Sequence, residues 1–125
     1  MSVIRDADSR RSETPSGVMT TFASPTQGGA SRSLWRVDAK PGAQGPRHDF
    51  DSEQVWSWLS GGATVELGDE RFEVGPGDTV VMPAHVMRWV LADAEAGYAA
   101  VVTAAADARA LSAEGGDLGT PPWIA

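Results

Sequence analysis

GGATVELGDERFEVGPGDTVVMPAHVMRWVL, residues 61–91, is the stretch whose reading decides the fold. Residues 63–67 and 70–74 alternate between apolar and polar side chains, and Gly68-Asp69 separates them by the two residues of a tight hairpin. Gly75-Pro76-Gly77-Asp78 is a second turn, followed by a short strand at 79–82 that Pro83 closes. Residues 86–91 resume the β-branched and aromatic pattern. Upstream, residues 54–59 (QVWSWL) and 34–39 (LWRVDA) read as strands, the latter ended by Pro41-Gly42. Residues 18–23 (VMTTFA) and 98–103 supply two more. Short strands punctuated every eight to twelve residues or so predict an all-β barrel or sandwich.

The ends read differently. Residues 1–17 are rich in charge, Ser, Pro and Gly and are expected to be a loose, flexible arm, with the folded domain running from 18 to 125. Residues 104–113 form the one helix-friendly stretch, and Pro121-Pro122 keeps the irregular tail GTPPWIA (119–125) from being helical. Trp123 and Ile124 are expected to plug a barrel end or a neighbour.

Composition narrows the function classes. The 125 residues suit one domain. Seventeen acidic and ten basic residues give a net charge of −7, and the bases, nine Arg and Lys40, are scattered. Nucleic acid is therefore not an expected partner. The absence of cysteine excludes disulfides, thiolate metal sites and a thiol nucleophile. With no apolar run long enough for a membrane helix and no secretory pattern at 1–15, a soluble cytoplasmic protein without a membrane partner is expected.

Two motifs then stand out. PGAQGPRHDFDSEQVWSWLSG (41–61) resembles the first motif of the cupin superfamily, in which a Pro-Gly turn leads to His-x-His, a Glu and a Gly. His48 takes the first His position, Phe50 the second, Gln54 the Glu position, and Gly61 follows at the expected distance. The stretch 75–91, beginning GPGDTVVMPAHVMR, resembles the second motif: Gly77-Asp78 and Pro83 match, His85 stands where glycine is usual, and Arg88 stands at the final His. The resemblance covers about 34–103. It implies a cupin double-stranded β-helix, or jelly-roll, barrel of the small single-domain kind, similar to polyketide-cyclase-like and quercetin-dioxygenase-like cupins. It also implies a homodimer and a small-molecule ligand or substrate in the lumen.

At the family's metal positions this chain departs from the pattern. Phe cannot ligate, and Arg stays protonated and repels a cation. No cofactor is therefore expected. A divalent transition metal held by His48, Gln54 and His85 is the alternative, and it requires His85 to leave its family register. Because strand residues two apart share a face, Phe50 joins His48 in the lumen, and Trp56 and Trp58 join Gln54. His48 and Arg88, with His85 as a further candidate, are then the expected catalytic groups. Phe50, Gln54, Trp56 and Trp58 are the expected substrate contacts. A histidine titrating near neutrality can move a proton, and an arginine can hold an oxyanion. Such a pair suits isomerase, cyclase or lyase chemistry, decarboxylation included, and offers nothing to activate dioxygen. A binding protein without turnover is the rival reading. The plainer roles are Arg88 paired with Glu53 or Glu66, His85 on a solvent-facing turn, and the tryptophans as core.

Overall fold

The computed structural model describes residues 2–125. Two six-stranded antiparallel sheets face each other as a jelly-roll barrel. The first contains β1 (Arg10–Thr14), β2 (Gly17–Ala23), β3 (Arg32–Ala39), β10 (Tyr98–Ala105), β5 (Gln54–Gly61) and β8 (Thr79–Met82), in that spatial order. The second runs β12 (Asp117–Gly119), β11 (Ala110–Ser112), β4 (His48–Phe50), β9 (Arg88–Ala92), β6 (Ala63–Leu67), β7 (Glu70–Val74). No helix among the described residues is long and apolar enough to cross a membrane.

Turn chemistry fixes the central strands. Gly68 has φ +59°, the glycine-first requirement of a type II′ hairpin, and joins β6 to β7. In the 75–78 turn, the Asp78 N–H donates to the Gly75 carbonyl and the Gly75 N–H to Asp78 Oδ2. That turn is bonded to β5 twice, through the Gly77 N–H to the Trp58 carbonyl and the Trp58 N–H to the Asp78 carbonyl. The inward faces of both sheets pack Trp35, Val37, Phe50, Trp58, Val65, Met82, Val90 and Val102 into one core.

Two expectations are corrected. Residues 10–14 are not a loose arm: they form β1, paired with β2 from Arg10↔Thr21 to Thr14↔Gly17. Arg11 and Glu13 point to solvent while Ser12 and Thr14 are half-buried, so a polar edge strand carries a period of two that charge concealed. The helix-friendly stretch at 104–113 is strand, turn and strand. Ala110, Leu111 and Ser112 pair with Phe50, Asp49 and His48, and this long-range ladder outweighs local helix propensity. The tail behaves as expected: Ile124 is fully buried in the core. Hydroxyls of Thr21 and Ser33 donate to the carbonyls of Trp123 and Ile124 at 2.8 and 2.5 Å.

Candidate functional site

A cavity of about 720 Å³ opens between the two sheets. Its buried lining includes Trp35, Val37, Phe50, Gln54, Arg88 and Tyr98. Towards solvent it is bounded by the Thr14–Ser16 turn, Gln44 to Pro46, Leu118 and Pro121 to Trp123. The surface is predominantly apolar, with a polar cluster at His48, Gln54 and Arg88.

Strand pairing brings the cluster together. His48 on β4 lies directly across from Arg88 on β9, and directly opposed residues share a face with Cβ atoms about 5 Å apart. The Phe50 ring contacts both: its centroid is 5.2 Å from the imidazole centroid and 5.5 Å from the guanidinium carbon. Gln54 approaches from the opposite sheet, and its Oε1 accepts from Arg88 Nη1 at 3.4 Å and from Trp56 Nε1 at 3.0 Å.

Arg88 is 2% exposed and has no carboxylate partner within ion-pair distance among the described residues. Its Nη2 donates to the carbonyls of Pro83 and Val86 at 2.9 and 3.2 Å, and its Nε to Val86 at 3.3 Å. Burial pulls its pKa down to about 10, and the nearby Asp49 charge only partly opposes this. The expected alternative pairing with Glu66 or Glu53 is not made: Glu66 pairs with Arg47 and Arg71 at 2.9 and 3.1 Å, and Glu53 is exposed. A buried cation bonded directly only to dipoles, with its nearest carboxylate beyond ion-pair distance, leaves room for a ligand anion.

His48 Nδ1 lies 2.8 Å from the Pro46 carbonyl. A carbonyl can only accept, so Nδ1 carries the proton and Nε2 of the neutral ring holds a free lone pair. Burial lowers the His48 pKa below its ordinary 6.5; the Pro46 bond opposes this, and the Arg88 charge reinforces it. The neutral, proton-accepting form therefore dominates at neutral pH.

The other expected residues divide. Trp56 lines the cavity, whereas Trp58 is 1% exposed and lies behind it, stacked at 5.5 Å between centroids. Trp58 is therefore a core residue that supports the wall rather than a ligand contact. Trp58→Ala should cost about 3–5 kcal/mol of stability. Trp56→Ala should instead cost mainly ligand affinity, by about 1–3 kcal/mol. Thermal melts and titrations of the two variants check the division, and equal loss of stability would contradict it.

His85 stands outside the cavity lining, exposed on the turn before β9. Its φ is +60° and its N–H donates to the Phe50 carbonyl at 2.8 Å. It occupies a left-handed position suited to glycine, which accounts for glycine being usual there. Exchange for glycine should leave ligand affinity unchanged and stability within about 1 kcal/mol. A large fall in affinity or turnover would return His85 to the site.

Sequence reasoning missed Tyr98, whose hydroxyl pKa is raised by burial in the cavity wall beside Trp56 and Trp58. It read as one more strand residue, and only the β10–β5 pairing places it there. Met19, Trp35 and Trp123 also line the cavity. Their contribution depends on contacts between distant parts of the chain.

Two facing antiparallel sheets around a cavity with one buried polar cluster define a jelly-roll barrel with an internal site. The chain belongs to the cupin domain family, whose sequence profile matches residues 35–104. Among solved structures it is similar to the polyketide cyclase RemF from Streptomyces resistomycificus, with 18% identity and a TM-score of 0.72 over 84% of this chain and 79% of that one. KdgF from Halomonas sp. gives 21% identity and a TM-score of 0.71 over 83% and 94%. Oxalate decarboxylase from Bacillus subtilis gives 18% and 0.72 over 82% of this chain, which spans only 28% of that longer protein. At these identities the likeness is one of fold. No curated protein matches the chain in sequence.

Proposed function

We propose that the barrel binds an anionic, carbonyl-bearing molecule with a flat, apolar body and moves a proton on it. One observation carries the reading: a fully buried guanidinium without a carboxylate partner lies across from an imidazole whose Nε2 is free. The cavity volume falls within the range of about 300–1,000 Å³ typical of drug-sized ligands, so the body is larger than a single small acid. Trp56, Trp35 and Tyr98 offer it aromatic faces.

In this reading Arg88 holds the carbonyl or carboxylate oxygen. His48 Nε2 takes the proton from the adjacent carbon, and the electron pair of that C–H bond moves onto the oxygen as an enolate that Arg88 stabilises. Return of the proton to a different carbon is isomerisation, and loss of a leaving group is elimination. Attack of the enolate carbon on a second carbonyl of the same molecule is cyclisation. The RemF likeness, a cyclase by name, is compatible with this group of reactions.

The cupin fold also suggests a metal, since one oxalate decarboxylase structure is described by its Mn(II) centres. The donor set here does not fit one. Phe50 has no ligating atom, and Arg88 puts a fixed positive charge beside the candidate donors. Among the described residues no group of three or more His, Asp or Glu could hold a metal ion.

Titration with aromatic carboxylates should perturb tryptophan fluorescence and raise the melting temperature through mass action. Metal analysis of protein purified without a His-tag should find well under one equivalent, with chelator leaving the melting temperature unchanged. Tight stoichiometric metal whose removal destabilises the fold would overturn the metal-free site. Binding that survives His48→Gln with no activity ever lost would leave a binding protein.

A further inference from the structure

Gln54 is 1% exposed, lines the cavity and has an orientation that chemistry determines. Its Oε1 accepts from an indole N–H and from a guanidinium N–H, both donor-only groups, so the amide cannot be turned end for end. Nε2 is left as a buried donor with no partner. Arg88 is incomplete in a complementary way. Of its five N–H groups, the contacts to Pro83, Val86 and Gln54 engage four, which leaves one on Nη1, the nitrogen already bonded to Gln54. A glutamate at 54 would keep both contacts to Oε1 and supply the missing countercharge at the same size. The chain instead carries a carboxamide, at the cost of a lone buried donor and a cation with no directly paired carboxylate.

We propose that Gln54 is the specificity residue of the cavity. By staying neutral it keeps the Arg88 charge available to ligand, and its Nε2 pairs with the free Nη1 hydrogen as a two-donor fork. The matching headgroup is a planar anion with two oxygen acceptors, a carboxylate or the enolate of a β-dicarbonyl. This inference rests on the reading of the cavity as an anion site, and the test separates the two.

The probes are naphthoate and its neutral methyl ester, titrated calorimetrically into wild type, Gln54→Glu, Gln54→Met and Arg88→Met. Wild type should bind naphthoate more tightly than the ester. Gln54→Glu should reverse that preference, losing more than about tenfold in naphthoate affinity through the lost donor and the added repulsion while keeping the ester. Gln54→Met, uncharged and similar in length, should lose about tenfold without reversal, and it keeps the test open if the glutamate variant does not fold by melting and circular dichroism. Unchanged naphthoate affinity in Gln54→Glu, with loss in Arg88→Met, would overturn the role of Gln54 and leave the anion site standing. Equal binding by wild type and Arg88→Met, or no binding of naphthoate by wild type, would remove the anion site and the inference with it.

Discussion

Arg88→Met removes most of the affinity for carboxylate ligands, an expected loss of about 2–5 kcal/mol, the scale for truncating one partner of a buried charge-assisted contact. Methionine replaces the apolar stem without the charge, and leaves the place of the guanidinium beside Phe50 empty. In the free protein two effects oppose each other. The carbonyls of Pro83 and Val86 lose their donors, while a buried cation that the Asp49 charge only partly offsets disappears. The fall in affinity should therefore exceed any fall in stability, and calorimetric titration beside thermal melting measures both. Arg88→Lys keeps the charge but loses the fork, and should fall between wild type and methionine. Full carboxylate affinity in the methionine variant would mean that the buried charge has another purpose.

His48→Gln should lower turnover by about 10²–10⁴-fold, the usual contribution of a positioned general base, with ligand affinity little changed. Proton abstraction can be followed as deuterium wash-in at the carbon next to the carbonyl of a bound aromatic keto acid. The pH dependence has a definite sign. Burial lowers the His48 pKa below 6.5, so the wild-type rate holds at neutral pH and falls as acidification carries His48 through its lowered pKa. Stability follows the same direction. The unfolded chain takes up a proton near pH 6.5 and the folded one only at lower pH, so the contribution is full above 6.5 and is lost on acidification through that window. In the glutamine variant both dependences should flatten. A variant that keeps the wild-type rate would move the chemistry elsewhere.

The parts of the fold legible in the sequence were those that local chemistry specifies. Gly68, Gly77 and Pro83 mark where β6 to β9 begin and end, because few other residues suit those backbone positions. Alternation from Gln54 puts Trp56 and Trp58 on one face, which is where they lie. Depth along that face was not legible, so nothing in the pattern distinguished a ring in the wall from a ring behind it. Strands β1 and β11 were hidden for different reasons. The charged edge strand β1 pairs with its immediate neighbour β2 across Pro15-Ser16, and its charge and polarity masked the hairpin, whereas the alanine-rich β11 becomes a strand through His48 to Phe50, far away in the chain. The partners of Arg88 were also out of reach, since nothing in the sequence says that a guanidinium will be bonded to the carbonyls of its own turn.

The bonds from Thr21 to Trp123 and from Ser33 to Ile124 also bear on folding order. They join positions 102 and 91 residues apart, and contacts of such separation are among the slowest to form, because the loop they close is entropically costly. On the ribosome, both sheets can begin to pair before the segment 118–124 has been made, but the pocket lacks one wall until that segment docks. Competence to bind ligand should thus follow sheet formation. A refolding experiment that reports ligand capture should lag behind one that reports sheet formation.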